Sequence, residues 1–294
     1  IIEIKDEETF FFRQVSANEG GNFIDLFYYV NNGDISREHT VEACAMGDIH
    51  EAYCDPRVTD ITLNNLFRKL KPKNIFIHDV IDSTSISHHN AKDPFILHQQ
   101  EMDGTNSLQK ELDGMIEWLK PFEQYDNVYI VKSNHDIHID NFLKQNDWRK
   151  LNTFKNVLPY MELATVTLKG EAPNGVVPYM INKHYPKFKC LTENDFVSVK
   201  GWVMSVHGHL GASGSRGSIN QYSRLSTKSV TGHSHAIGRV GGAVSVGCSC
   251  YLRLSYNNGF SNWVNSHGIV NRLGKFQHIV FFHTKDGLEY TTLD

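Results

Sequence analysis

Five short clusters contain the residue types that bind metals and move protons. In chain order they are Asp48-x-His50, His78-Asp79-x-x-Asp82, Asn134-His135-Asp136, His207-x-His209 and His233-x-His235. Taken singly, each has an ordinary reading. The first could be a capped turn, the second a strand end with a solvated acidic turn, the third an Asx-turn. The two His-x-His pairs are sharper, because side chains at i and i+2 of a strand or tight turn project the same way and can share an ion. The joint pattern decides. Each cluster follows a strand-like run: Ala43–Met46, Ile75–Ile77, Val128–Val131, Trp202–Val206 and Ser229-Val230. Mixed imidazole and carboxylate donors suit Mn, Fe, Zn or Co rather than Ca, which takes oxygen alone. A pair of divalent ions about 3.5–4 Å apart can neutralise phosphoryl oxygens, activate a water and assist a leaving oxygen. Hydrolysis of a phosphate ester needs all three.

The elements that must position these groups read as alternating strands and helices, an α/β fold. One helix is expected after Asp60 as N-cap, with Leu63, Leu66, Phe67 and Leu70 at helical spacing before Pro72. Another is expected after Ser107, with Leu108, Leu112, Met115, Ile116 and Leu119, ended by Pro121. Polar groups at the carboxyl ends of buried strands are where open α/β sheets place their sites. Residues 1–40 are mixed in character, with strands at Phe10–Phe12 and Leu26–Val30 and turns at Gly20-Gly21 and Asn31–Asp34. They read as an N-terminal extension or the end of a preceding domain. Residues 41–294 then form the main domain, with 160–200 as an insertion that could be a lid, a clamp or an oligomer contact. Ala243–Leu254 and Phe276–Thr292 read as strands of a second sheet, the latter bent at Lys285-Asp286-Gly287.

The 294 residues are 40% hydrophobic and 21% charged, enough for a sizeable core and against wholesale disorder. Lys+Arg number 29 against 33 Asp+Glu, a net charge of -4. That excludes nucleic-acid binding by bulk positive charge but not through a local basic groove. No apolar run approaches the roughly 20 residues that span a bilayer, so no membrane partner is expected. Ile1-Ile2-Glu3 opens no secretory leader. The absence of a starting Met fits a processed product or part of something longer. Cys44, Cys54, Cys190, Cys248 and Cys250 include no Cys-x-x-Cys spacing and read as reduced, intracellular thiols. Cys248 and Cys250 read as a buried strand pair rather than a metal site. Trp118, Trp148, Trp202 and Trp263 are expected to anchor the core or helix faces.

As a set, and over about residues 42–251, the five clusters resemble the motifs of the calcineurin-like metallophosphoesterase superfamily. That family pattern is Asp-x-His, Gly-Asp-x-x-Asp, Gly-Asn-His-Asp/Glu, His and Gly-His-x-His. The resemblance implies a four-layer β-sandwich flanked by helices, with a dinuclear metal site on loops at the strand ends. Carried over position by position, Asp48, His50 and His235 would hold the first ion and Asn134, His207 and His233 the second. Asp79 would bridge them, and a bridging hydroxide would be the nucleophile. His135 would act near the leaving group, oriented by Asp136 or a backbone carbonyl. The implied cofactors are two divalent ions, Mn2+ foremost, with Mg2+, Fe and Zn as alternatives. The chain departs from the pattern at His78 and Ser133, where the family carries Gly; neither is a ligand position, but Gly there serves a tight backbone path. Ser83 stands where the family's protein phosphatases carry an Arg that grips a dianionic phosphomonoester. Its replacement favours a phosphodiester.

Within that superfamily the expected activity is a DNA nuclease similar to SbcD-type exonucleases. The His-x-x-x-Asp variant, His88-His89 and Gly247–Tyr251 look similar to phage-encoded members that degrade DNA early in infection by T5-like bacteriophages. The setting would be the host cytoplasm. His209, His88, Arg216 and Arg224 are the expected substrate contacts, the arginines flanking a flexible Gly/Ser loop over Gly208–Arg224 with Lys228 and Arg239 nearby. Tyr222 is available there for base stacking. A surface turn with ordinary solvated charges is the bland reading of that loop. The alternatives are a small-molecule phosphodiesterase or phosphatase, which needs a closed pocket, and a non-catalytic scaffold, which would have lost ligands. A homo-oligomer or a partner protein that supplies DNA-binding surface is left open.

Overall fold

The computed structural model describes residues 1–37, 40–87, 93–145, 154–254 and 257–293. At the start of the chain, β1 (Ile2–Ile4) and β2 (Phe10–Phe12) form an antiparallel hairpin. The strands β3 (Phe23–Asp25), β4 (Tyr28–Asn31) and β5 (Asp34–Arg37) form an antiparallel meander. Asn32 and Gly33, both at positive φ, make the tight turn between the last two.

The body contains two mixed sheets. The strands β6 (Ala43–Ala45), β7 (Ile75–His78), β8 (Val128–Val131) and β9 (Lys189–Cys190) lie side by side and parallel. The second sheet holds β10 (Ser198–Val199), β11 (Trp202–Val203), β12 (Lys228–Thr231), β13 (Gly238–Val240) and β14 (Ala243–Ser245), in the order β10-β11-β12-β14-β13. The chain then returns to the first sheet. There β15 (Ser266–Val270), β16 (Phe276–Thr284) and β17 (Gly287–Thr292) give the order β17-β16-β15-β6-β7-β8-β9. The hairpin expected at Lys285–Gly287 is present. It completes the first sheet rather than belonging to a second one, because Ile269, Ile279 and Phe281 bury against the same apolar cluster as β6–β8. Of Ala243–Leu254, only β14 is a strand; the backbone beyond it bridges singly to Asp48 and Cys54.

Side-chain alternation explains the layering. Ala43, Ala45, Phe76 and Val131 point toward the second sheet and pack with Trp202, Met204, Val230, Val244 and Val246. Cys44, Met46, Ile75, Ile77, Val128 and Ile130 point the other way, into a cluster shared with the helices. Strands buried on both faces must be apolar throughout, which is why β7 and β8 are nearly continuous hydrophobic runs. Truncating a fully buried member such as Ile77 to Ala costs ~2–5 kcal/mol.

The helices that cover this sheet start where capping chemistry allows. The first is α1 (Pro56–Ile61), which passes through a π-helical turn at Thr62–Leu66 into α2 (Phe67–Leu70). It starts earlier than the expected Asp60: the Asp55 side chain accepts the Arg57 N–H, and Pro56 sits in the first turn, where its missing N–H is harmless. After α3 (Pro94–Asp103), the helix α4 (Leu108–Leu119) begins at Ser107 as expected and buries Leu108, Leu112, Met115, Ile116 and Leu119. The set is completed by α5 (His138–Gln145), α6 (Val157–Leu168), α7 (Val176–His184) and α8 (Ile219–Tyr222). Val176, Val177, Ile181, Tyr185 and Phe188 join the main core, so this stretch supplies a helix ahead of edge strand β9.

Residues 1–37 are fastened to the C-terminal hairpin. Arg13 donates to Asp25 through Nε at 2.8 Å and Nη2 at 2.5 Å, and to Glu3 at 2.8 Å. Asp25 also accepts from Gln277 and Thr292, both at 3.2 Å. The Phe11 ring packs 4.6 Å from that of Phe282. Arg13 is only 8% exposed, so this is a nearly desolvated, bidentate pair.

Candidate metal centre

Parallel pairing brings the carboxyl ends of β6, β7 and β8 to one edge, and the pairing runs on past the strands. The N–H groups of Ile49, His50 and Glu51 donate to the carbonyls of His78, Asp79 and Val80 at 3.1, 2.8 and 2.9 Å. The segments after the second sheet's strands are tied to the same edge. Asp48 N–H donates to the Gly247 carbonyl at 3.1 Å, and Gly232 N–H to the His207 carbonyl at 2.7 Å. Four candidate ligands leave extended backbone abruptly there: His50, Asp79, His233 and His235 have φ of 48, 52, 69 and 55°. Left-handed backbone is unfavourable for such residues and persists where the surroundings enforce it. Gly232 shows how closely they are drawn together: a Cβ at that position would lie 2.1 Å from Asp48 Oδ1.

One group is compact. A donor atom from each of Asp48, His50, Asp79 and His235 lies within 4.8 Å of the others. His50 Nε2 is 2.9 Å from His235 Nε2 and 3.4 Å from Asp79 Oδ2. His235 Nε2 is 3.3 Å from Asp48 Oδ2. His207 reaches both carboxylates, with Nε2 3.6 Å from Asp79 Oδ2 and Nδ1 3.9 Å from Asp48 Oδ1. The rings of His233 and His209 lie 5.2 and 5.4 Å from that of His207. His233 also donates its backbone N–H to Asp48 Oδ2 at 2.6 Å. His135 Nδ1 is 3.3 Å from Asp79 Oδ1. Asp48, His50, Asp79 and His235 are thus tightly gathered. A donor atom from each of Asp48, His78 and His207 likewise lies within 4.8 Å of the others, and His233 stands beside His207.

The donor set fits a divalent ion. Asp48 Oδ1, Asp79 Oδ1, Asn134 Oδ1, His135 Nδ1, His207 Nε2 and His235 Nδ1 are buried without a hydrogen-bond partner among the described residues. An unsatisfied buried polar atom costs about 1–3 kcal/mol, so a concentration of them in one place calls for a cation. Nitrogen and carboxylate oxygen together are the donors that Mn, Fe and Zn accept.

Protonation in the ion-free protein follows the same logic. Burial pushes Asp79 up to about 6, against the pull of His50. Burial opposes a proton on His50, but Asp79, Asp82 and Asp48 outweigh it and raise the imidazole to about 10. Burial drives His207 well below its ordinary value and lowers His135 to about 4. Burial also opposes the Asp48 charge, yet the imidazoles around it hold the carboxyl well below the usual range. The carboxylates hold a proton on His50, and an ion bound there must displace it.

Other expected residues fall in different places. Among the described residues no hydrogen bond joins the Asp136 carboxylate to His135. Its Oδ2 accepts the Ser133 N–H at 2.9 Å and closes the turn, and burial raises it to about 7. The carboxylate beside the histidines is instead Asp82, whose Oδ1 lies 3.1 Å from His50 Nδ1 and 3.7 Å from His135 Nδ1. The second member of the Asp-x-x-Asp spacing is the sequence signal for it. His78, in place of the expected Gly, is fully buried with Nδ1 3.4 Å from His207 Nδ1. Ser133 Oγ accepts the Asp136 N–H at 3.2 Å. Trp263 is half-buried rather than a core anchor, and its ring meets that of His235 edge to face at 4.2 Å.

Arg216 and Arg224 are exposed, in a loop that carries its own backbone hydrogen bonds. Gly211 N–H donates to Ser215 O at 2.7 Å and Gly217 N–H to His209 O at 2.9 Å. A Cβ on Gly217 would strike the Gly208 carbonyl. Tyr222 is not free to stack: it is 8% exposed and its hydroxyl donates to the Leu210 carbonyl. Lys228 and Arg239 lie over the rings of Trp202 and Phe276 at 5.4 and 5.7 Å. His88 and Trp148 lie outside the described residues.

The chain is similar to Protein A1 of Escherichia phage T5, 29% identical over 302 aligned positions that cover 97% of this chain and 54% of the relative. It therefore spans about half the length of the curated relative it matches. No family model matches the chain, and no solved structure matches it. No helix among the described residues is long and apolar enough to cross a membrane.

Proposed function

We propose that this chain is a metal-dependent phosphodiester hydrolase of the calcineurin-like kind, acting on DNA in the cytoplasm of a phage-infected host. The observation that carries the reading is the position of Asp79. Its buried Oδ2 lies within 3.6 Å of both His50 and His207, which come from different sheets. A carboxylate so placed is suited to bridging two ions. Asp48, His50 and His235 would hold one ion and Asn134, His207 and His233 the other, with Asp79 shared. Two divalent ions, when bound, would neutralise phosphoryl charge and supply an activated water. The chain's own groups fix the geometry. Asp82 holds His50 through Nδ1 so that Nε2 faces Asp79, and His78 sets the ring of His207. His135, with 22% of its side chain exposed, is placed to touch a substrate oxygen. Exposed Arg216 and Arg224 favour a polyanion over a small diester. Similarity to a phage protein supports the setting.

The test is cleavage of supercoiled plasmid and of bis-p-nitrophenyl phosphate side by side, with Mn2+ and with EDTA. Cleavage of both, stopped by EDTA, is the expected result. Cleavage of the small diester alone would remove DNA as substrate. Cleavage of neither, with Mn2+ bound, would overturn the assignment to this chain acting alone.

A further inference from the structure

A second donor set lies against the first. Cys248 and Cys250 follow β14 on extended backbone, and both are fully buried. Cys248 pairs with Asp48 and Cys250 with Cys54, so the two-residue spacing is fixed on both sides. The two sulfurs and a ring nitrogen of His235 lie within 4.8 Å of one another. Tetrahedral zinc, with sulfur at about 2.3 Å and nitrogen at about 2.0 Å, needs such donors about 3.4–3.8 Å apart. The three are therefore gathered before any ion arrives. Two neighbours complete the surroundings. Asn265 Nδ2 lies 3.9 Å from Cys248 Sγ, where it can donate to a thiolate. Trp263 packs against the His235 ring edge to face at 4.2 Å. His235 Nδ1 has no hydrogen-bond partner among the described residues, while Nε2 faces His50. Cys54 is engaged elsewhere, with Sγ 3.2 Å from Thr59 Oγ1.

We propose that His235, Cys248 and Cys250 form a binding site for a thiophilic divalent ion of the zinc and cadmium class. Thiolates select such ions over Mn2+ and Mg2+. Binding releases the two thiol protons to solvent and involves no oxidation. His235 belongs to both donor sets, so filling this site disturbs the Asp48–His50–Asp79 group. That consequence alone rests on the proposed hydrolase; the binding itself does not.

The test is a titration of the reduced full chain with Cd2+ in excess Mn2+, read as sulfur-to-metal charge-transfer absorption in the near ultraviolet. Wild type should saturate at one ion per chain. Cys250→Ala should lose about half of the absorption, as one of two thiolates is gone. Cys248→Ala/Cys250→Ala should lose all of it, and Cys190→Ala none. Cooperative thermal melting of each variant shows that it folds. The single variant keeps the test decisive if the double one does not. No absorption in wild type, or full absorption in Cys250→Ala, would overturn the proposal. The readout is ligation rather than turnover, so absence of hydrolysis leaves this result standing on its own.

Discussion

Asp79→Asn should change stability in opposite directions with and without metal. Asp79 is 2% exposed, and burial raises its carboxyl from 3.8 to about 6. At about 1.4 kcal/mol per unit, the ionised group costs the ion-free fold up to ~3 kcal/mol above pH 6. The sign is that of a raised carboxyl: its stabilising, protonated form is complete below pH 3.8 and is lost as pH rises through about 6. Asn keeps the shape, tolerates the left-handed backbone at this position and carries no charge. The ion-free variant should therefore be more stable at pH 8 by ~1–3 kcal/mol. For 294 residues, with about 2 cal/mol/K of unfolding entropy each, the upper figure corresponds to about 5 °C in Tm. Metal should act the other way. An ion at a hundred times its Kd adds about 2.7 kcal/mol to wild type, and most of that gain should vanish when the shared carboxylate is gone. The assay is differential scanning calorimetry of both proteins at pH 8, in EDTA and in graded Mn2+, with hydrolysis followed in parallel. A variant that melts lower in EDTA, or that keeps the full Mn2+ gain, would refute the reasoning.

His135→Ala should keep the Mn2+-dependent rise in Tm and lower kcat by about 100-fold or more, the scale of a positioned proton donor or oxygen contact; loss of metal binding instead would make His135 a ligand. Gly232→Ala places a methyl 2.1 Å from Asp48 Oδ1, so it should weaken Mn2+ binding at least tenfold by calorimetric titration although no ligand is altered. In EDTA, wild-type stability should fall as pH rises from about 6.5 to about 10: the raised His50 contributes fully below its unfolded value of 6.5 and is lost through about 10. The Mn2+-dependent gain should grow over the same window, as the competing proton leaves, and His50→Gln should flatten both slopes. Arg13→Ala leaves Asp25 buried with its main partner gone, which should cost ~3–5 kcal/mol in urea unfolding; a loss below 1 kcal/mol would mean that residues 1–37 contribute little to the body.

Much of the site's placement was legible because strand and ligand are adjacent in the chain. Each cluster follows an apolar run, and parallel pairing of β6, β7 and β8 makes adjacency in sequence into adjacency in space. What lay beyond reach depended on side-chain direction or long-range pairing. Nothing local says that Asp136 turns back to Ser133 while Asp82 faces His50. The Gly/Ser composition of the 208–224 loop does not say which backbone contacts its glycines permit, such as the approach of Gly217 to the Gly208 carbonyl. The C-terminal hairpin was recognisable from Lys285–Gly287, yet its sheet was not, since that is set by β15 pairing with a strand more than two hundred residues earlier. The start of α1 was misplaced for a local reason: Asp60 and Asp55 are both plausible caps, and Pro56 favours the earlier one.

The pairing of β15 with β6 has a consequence for synthesis. The strand that leads to Asp48 has one flank open until Ser266–Val270 arrive, and the Asp48 loop itself bridges to Cys248. The fastening of Arg13 to Thr291 spans 278 positions. A chain growing on the ribosome therefore cannot close the Asp48–His50–Asp79–His235 group from its first two hundred residues, however well the early helices form. Contacts of such long sequence separation are slow to form and late. A chain terminated before β15 therefore carries the early clusters without the pairing that gathers them.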